Sequence, residues 1–223
     1  MKQILIILFI ALTTTAFGQT HIIGMQVGLN LTNISANEIF YNSEMRAGFT
    51  GGITYDLKLS DRYRIGVDVL YSQQGFSEKF SLVDEYGTYY GEVNSEMNFD
   101  YMSIPIKIGY EIGNKIKIIP KIGMVPAFPV TAESIIPKLN DSKLVIGQET
   151  VDQMDYISKF DFGGLIEIGI ERALSEKLII CSALAYKHSL TTFSNIDYFG
   201  DHNLRHYGFS VSVGIKHGLS PKK

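Results

Sequence analysis

The chain of 223 residues has no tryptophan and one cysteine, Cys181, so no disulfide can form within it. Its net charge is only −3, from 20 basic and 23 acidic residues. That balance lacks the basic surface typical of nucleic-acid binding. The paired glycines at 51–52 and 163–164 lie inside alternating segments, where they ease packing and do not form a phosphate loop. We predict no nucleic-acid partner and no cofactor.

Long hydrophobic runs are also scarce. The one clear run, 4–12, follows Lys2 and precedes the small residues Ala16 and Gly18. It is far shorter than the roughly 20 residues that cross a bilayer as a helix, so the pattern predicts a signal peptide over 1–18 rather than a membrane anchor. No cysteine lies near the expected cut to carry a lipid. Residues 19–223 then form the mature domain, in which no stretch predicts a transmembrane helix.

Strand-like alternation fills most of the mature domain. In 99–112 the even positions from Met102 onward are apolar, whereas Ser103, Lys107 and Glu111 lie on the odd side with Pro105. Successive side chains of a strand point to opposite faces, so one face is apolar and the other polar. Eight segments are predicted as strands: 22–31, 46–60, 63–74, 99–112, 115–125, 160–171, 177–190 and 204–217.

The connections alternate in length. Long ones (32–45, 81–96, 126–156, 191–203) are separated by short ones (60–62, 113–114, 173–176). In an up-and-down barrel this places every long loop at one end and every tight turn at the other, as in outer-membrane barrels. The sequence therefore predicts an all-β, eight-stranded antiparallel transmembrane β-barrel. A soluble lipocalin-like carrier is the structural alternative.

Thirteen charged residues share the polar faces of these strands. Seven are cations and six are anions, so we expect them to pair across a wet lumen. They are Asp56, Lys58, Arg64, Asp68, Lys107, Glu111, Lys117, Lys121, Asp161, Glu167, Glu171, Lys187 and Lys216. Aromatic residues lie near strand ends, which favours girdles at the two membrane interfaces.

Several short motifs resemble the PorT-like outer-membrane β-barrel family of Bacteroidetes-type bacteria. They are Gly-Leu-Asn-Leu at 28–31, Gly-Phe-Thr-Gly-Gly-Ile at 48–53, Leu-Tyr-Ser-Gln-Gln-Gly at 70–75, Tyr-Met-Ser-Ile-Pro-Ile-Lys at 101–107 and Phe-Asp-Phe-Gly at 160–163. Their order and spacing cover nearly the whole mature chain. The resemblance implies an eight-stranded barrel with a signal peptide in the outer membrane. It also implies a link to secretion and gliding machinery, known for the founding member.

Residues able to support catalysis gather near one long-loop end. They are His188, Ser189, Ser194, Asp201, His202 and His206. Their spacing matches no nucleophile motif, and His202 and His206 are not on a helix, where a spacing of four would form a zinc site. Glu167 and Glu171 form a potential carboxylate pair, for which salt bridges are the simpler interpretation. We predict no catalytic, cofactor-binding or metal-binding residues.

The resulting hypothesis is a monomeric, non-enzymatic outer-membrane barrel with a charge-filled, non-conducting lumen. Its partners would be outer-membrane lipid and envelope or secretion proteins that contact the long loops, above all 131–156, on length alone. A membrane enzyme acting on lipid or peptide and a narrow pore are the alternatives. Pro105 lies mid-strand on the lumen side, where a missing N–H donor predicts a bulge or a water-bonded gap.

Overall fold

The computed structural model describes residues 20–35, 43–83, 86–140, 145–195 and 203–219. The predicted signal peptide, 1–18, lies outside them. The strands are β1 Thr20–Ser35, β2 Glu44–Lys58, β3 Tyr63–Val83, β4 Tyr89–Ser103, β5 Ile106–Tyr110, β6 Ile116–Leu139, β7 Val145–Asp152, β8 Asp161–Ala173, β9 Leu178–Ser189 and β10 Arg205–Leu219. One 3-10 helix covers Met154–Tyr156. Nowhere in these ranges is a helix long and apolar enough to cross a membrane.

Antiparallel pairing closes the sheet into a ring. β1 pairs with both β2 and β10, the chain of pairs continues through β9, β8, β6 and β4 to β3, and β3 pairs with β2. β5 follows β4 at the same place in the barrel wall, between β3 and β6. β7 pairs with β6 and lies outside the ring. The ring therefore has eight strand positions, and the predicted up-and-down barrel is confirmed.

The apolar face of each strand points outward. Met25, Ile53, Ile122 and Ile166 are each about 60% exposed, and similar residues continue around the whole wall. The polar faces point into the barrel, where Lys107 and Glu111 are buried. A lipocalin-like carrier would place its apolar face inward, so the soluble alternative is wrong. An apolar band of this extent requires an apolar surrounding.

Two predicted loops are in large part strand. β3 and β4 extend as a hairpin through 81–83 and 89–96, and β6 runs on to Leu139 before β7 returns along it. The prediction of loop at 81–96 is thus wrong, and 126–156 carries structure of its own. Beyond the bilayer both faces of a strand meet water, so the alternation that marks a strand disappears while backbone hydrogen bonding continues.

Pro105 produces no bulge. Ser103 pairs with Leu70 and Ile106 pairs with Val67, so the register is the same on both sides of the proline. The amide of Asp68 donates to the Pro105 carbonyl at 3.0 Å, and only the reciprocal bond is missing. A register shift lies instead between 100 and 101, opposite residue 130 of β6.

Candidate functional site in the barrel lumen

All thirteen predicted charges lie on the lumen side of the wall. Ten are buried, while Lys58, Lys117 and Lys187 keep 22%, 30% and 18% of their side chains exposed. Each takes part in at least one ion pair, and the pairs form three groups along the barrel axis. These residues come together because every second side chain of a strand points into the barrel.

The group nearest the short turns is the Arg64 cluster, built from Asp56, Lys58, Arg64, Glu111, Lys117, Glu171 and Lys216. The Arg64 guanidinium donates to Glu171 at 2.9 and 3.0 Å and to Glu111, with Nε at 2.9 Å from Oε1. Lys216 bridges Asp56 at 2.6 Å and Glu171 at 2.7 Å. Arginine serves this position because its planar fork binds two carboxylates at once.

Above it lies the Lys107 cluster, which consists of Asp68, Lys107, Lys121 and Glu167. Lys107 Nζ lies 2.5 Å from Asp68 and 2.9 Å from Glu167, and Lys121 Nζ lies 2.8 Å from the other Glu167 oxygen. Two cations face two anions, so the cluster is neutral. Because each charge has an opposite partner within hydrogen-bond distance, the desolvation cost of burial is offset.

The third group is the pair of Asp161 and Lys187, 3.4 Å apart. Asp161 also accepts hydrogen bonds from Ser189 at 2.7 Å and Thr191 at 2.9 Å. These bonds satisfy a carboxylate that the distant lysine alone would leave poorly compensated. Ser189 therefore acts as a hydrogen-bond donor to a buried carboxylate.

Little space is left between these groups. A cavity of about 10 Å³ lies beside Lys107 and Lys121, and one of about 70 Å³ lies above it. The larger cavity is lined by polar residues such as Asn30, Gln74 and Lys187 and by apolar residues such as Val125 and Leu165. A cavity needs roughly 10–15 Å³ of probe volume to hold one water molecule. The lower lumen is thus filled by side chains, as the interior of an eight-stranded barrel permits.

An aromatic plug covers the charged lumen at the long-loop end. It comprises Phe76, Phe99, Tyr101, Phe193 and His206, all buried. His206 stacks on Phe193 with ring centroids 4.2 Å apart, and Phe99 lies 5.1 Å from Phe193. The plug is not among the features predicted from the sequence. Phe99 and Tyr101 nevertheless lie at odd, inward-facing positions like Lys107, and this alternation is the signal that could have located them.

The candidate catalytic residues are not brought together. His188 faces outward beside Tyr186 and Tyr207, whereas His206 is enclosed in the plug with neither ring nitrogen hydrogen-bonded to a described residue. Ser194 contacts Thr192 at 2.7 Å, and Asp201 and His202 lie outside the described residues. Glu167 and Glu171 bind different cations, so they form no shared carboxylate site.

Aromatic side chains mark both rims of the outer wall. At the short-turn end Tyr63 and Tyr110 pack at 5.1 Å, and at the other end Phe128 packs against Phe160 at 5.5 Å. On the outer wall, Phe209 of β10 and Tyr186 of β9 pack at 5.0 Å. Aromatic rings near the ends of the wall match the interfacial belts of membrane barrels.

Residues 17–195 match the family described as outer membrane protein beta-barrel domain. The chain belongs to this family. It is accordingly a protein of the bacterial outer membrane. In such barrels the short turns face the periplasm and the longer loops face outside, so the Arg64 cluster lies toward the periplasm and the aromatic plug toward the exterior.

Solved structures with a similar architecture include three outer-membrane proteins. Neisserial surface protein A is 12% identical, with a TM-score of 0.46, over 90% of this chain and 98% of its own. OprG from Pseudomonas aeruginosa is 9% identical, with 0.47, over 92% and 97%. The protease OmpT from Escherichia coli is 8% identical, with 0.41, over 91% and 97%. No curated protein matches the sequence.

Proposed function

We propose that this protein is a non-enzymatic, non-conducting barrel of the outer membrane that acts by binding a protein partner outside the cell. The observation that carries the proposal is the β6–β7 hairpin, which projects beyond the barrel and leaves one strand edge open. Two features of the molecule support it, the filled lumen and the hairpin itself.

The filled lumen argues against transport. The Arg64 and Lys107 clusters join β2, β3, β5, β6, β8 and β10 across the interior through ion pairs. A passing ion would have to separate these pairs, which would leave buried charges uncompensated. The aromatic plug adds an apolar barrier at the outer end. We therefore place function on the outer surface rather than in the lumen.

The open edge lies on β7. Within the described residues this strand pairs with β6 alone, and seven of its eight residues are exposed. Val145 and Ile146 are 54% and 59% exposed. An unpaired edge offers a row of N–H and C=O groups, and an extended segment of another protein can add to it as a further strand.

We also propose that, within the outer-membrane barrel family, the chain is related to the PorT-like proteins. A partner among the envelope or secretion proteins agrees with a barrel that has no catalytic constellation of its own in the described residues. One copy suffices for this role, because the ring closes within a single chain. We propose no lipid- or peptide-directed chemistry, since neither ring nitrogen of His206 is hydrogen-bonded to a described residue and His188 faces outward, away from the buried Ser189.

The test is site-specific photocrosslinking in intact cells of the native host. A crosslinking residue at Gln148 on β7 is compared with one at Lys79 on the β3–β4 hairpin, which is equally outside the membrane. We expect a discrete adduct from 148, absent from 79, that disappears when Thr150→Pro removes an N–H donor of the open edge. Equal adducts at both positions, or an adduct unaffected by Thr150→Pro, would contradict the proposal.

A further inference from the structure

The outer wall is not uniformly smooth. A groove of about 560 Å³ crosses β8, β9, β10 and β1 in the periplasmic half of the barrel, and its lining is almost wholly apolar. A second groove of about 310 Å³ adjoins it and shares Met25 and Ile215. Both lie on the face that meets lipid, so water is not their natural occupant.

The groove has a structural cause in Ser182. This residue points outward from the middle of β9, where its neighbours along the strand are Ile180 and Leu184. Across the strands it pairs with Ile170 of β8 and Val213 of β10. A hydroxymethyl group surrounded by four larger aliphatic side chains leaves a depression, because a lost contact is not refilled by the neighbours.

A cation stands at the periplasmic end of the depression. Arg172 is exposed on the outer face of β8 and pairs with Ile180, diagonally adjacent to Ser182. No carboxylate within the described part of the chain forms an ion pair with it, in contrast to every cation of the lumen. Arg172 lies two residues beyond Ile170, the partner of Ser182, about 7 Å along the strand and next to the strand end at Ala173. The guanidinium is therefore on the headgroup side of the depression.

We propose that this groove is a binding site for one glycerophospholipid of the periplasmic leaflet. An acyl chain occupies the depression over Ser182, and the phosphate binds the Arg172 guanidinium. Charge complementarity selects this occupant. A planar arginine fork binds phosphate oxygens in a bidentate manner, and the apolar lining fits hydrocarbon. A neutral lipid would fill the apolar groove but leave Arg172 without an anion. Inorganic phosphate would bind Arg172 but leave the groove empty.

The test uses native mass spectrometry of the delipidated barrel in detergent, titrated with dioleoyl phosphatidylglycerol. We expect one retained lipid per chain, with affinity reduced about tenfold or more in Arg172→Gln, as for loss of a charged hydrogen-bond partner. Ser182→Leu, which fills the depression, should weaken binding similarly. Dioleoylglycerol should bind weakly to every variant, and inorganic phosphate should not displace the phospholipid.

Two matched controls lie on other parts of the wall. Arg62→Gln removes a cation at the same membrane end, where Arg62 donates to the Tyr110 hydroxyl at 2.8 Å. Val69→Leu enlarges an outward residue of β3, across the barrel from β9. Both should bind phospholipid as the unchanged protein does. Heat-modifiable gel mobility checks that each variant has folded, and Arg172→Gln keeps the test valid if Ser182→Leu does not fold.

Three results would overturn the proposal. Equal phospholipid affinity in all variants would mean that the lipid is unspecific. Displacement by inorganic phosphate would mean that the site recognises only an anion. A dimer mass that is lost in Ser182→Leu would assign the groove to a second copy of the chain.

Discussion

Arg64 is the side chain on which the periplasmic half of the lumen depends most. It is 1% exposed and contacts three carboxylates, from β2, from the end of β5 and from β8. The buried position is acceptable because opposite charges surround the guanidinium. Removal of the cation would leave Glu111 and Glu171 with the lysines alone.

We therefore expect Arg64→Met to lower the free energy of unfolding by about 3–5 kcal/mol, the cost of breaking a buried ion pair from one side. Urea titration followed by heat-modifiable gel mobility measures the change. The control is Lys79→Met, which removes an exposed pair with Glu44 at 2.6 Å and should leave the free energy of unfolding nearly unchanged, because solvent screens this pair. Equal losses in the two variants would show that the lumen network does not stabilise the fold.

At the residue scale, alternation was sufficient to find the lumen charges but not the aromatic plug. Every charged residue on a polar face is an obvious candidate for an aqueous lumen. Phe99 and Phe76 also lie at inward-facing positions, as the lumen charges do. An aromatic residue near a strand end is, however, equally expected at the membrane interface. The position relative to the bilayer decides between them, and it depends on the tilt and closure of the whole ring.

The strand elements show where proline is tolerated. Pro105 interrupts the ladder without shifting the register, because the missing N–H removes one bond and the carbonyl keeps the other. Of the two outcomes predicted for this donor-free residue, a bulge and a water-bonded gap, the bulge is wrong, whereas the gap in the ladder is present. No bulge forms because β3 and β6 hold the chain in register on both sides of the gap.

Restoring the N–H donor at position 105 should slightly raise the free energy of unfolding. Pro105→Val supplies an amide that faces the Asp68 carbonyl, and one additional hydrogen bond contributes about 0.5–1.5 kcal/mol. The same urea titration should show an increase of that order. A loss exceeding about 1 kcal/mol would mean that the proline ring itself packs an essential position in the lumen.

The lengths of β3, β4 and β6 were the least predictable part of the elements. Within the bilayer each strand must alternate, because one face meets hydrocarbon and the other meets the lumen. Outside it, 77–83 and 89–96 carry polar residues on both faces, so their composition resembles that of a loop. Hydrogen bonding between the two arms, such as Lys79 opposite Asn94, keeps them extended nevertheless.

At the scale of the whole molecule, the number of strands and the two ends of the barrel followed from the sequence. The alternation of long and short connections has only one simple solution in a closed antiparallel ring. What sequence reasoning could not supply is the pairing inside. Arg64 contacts Glu171, 107 residues away in the chain, and only ring closure brings the two together.

The central claim is that the lumen is closed by paired charges and an aromatic plug. Planar-bilayer recording of the purified, folded protein tests it most directly. We expect flat current traces at voltages at which porins conduct, because neither the Arg64 cluster nor the Lys107 cluster leaves room for a continuous file of water. Discrete, reproducible conductance steps from the unchanged protein would contradict the account.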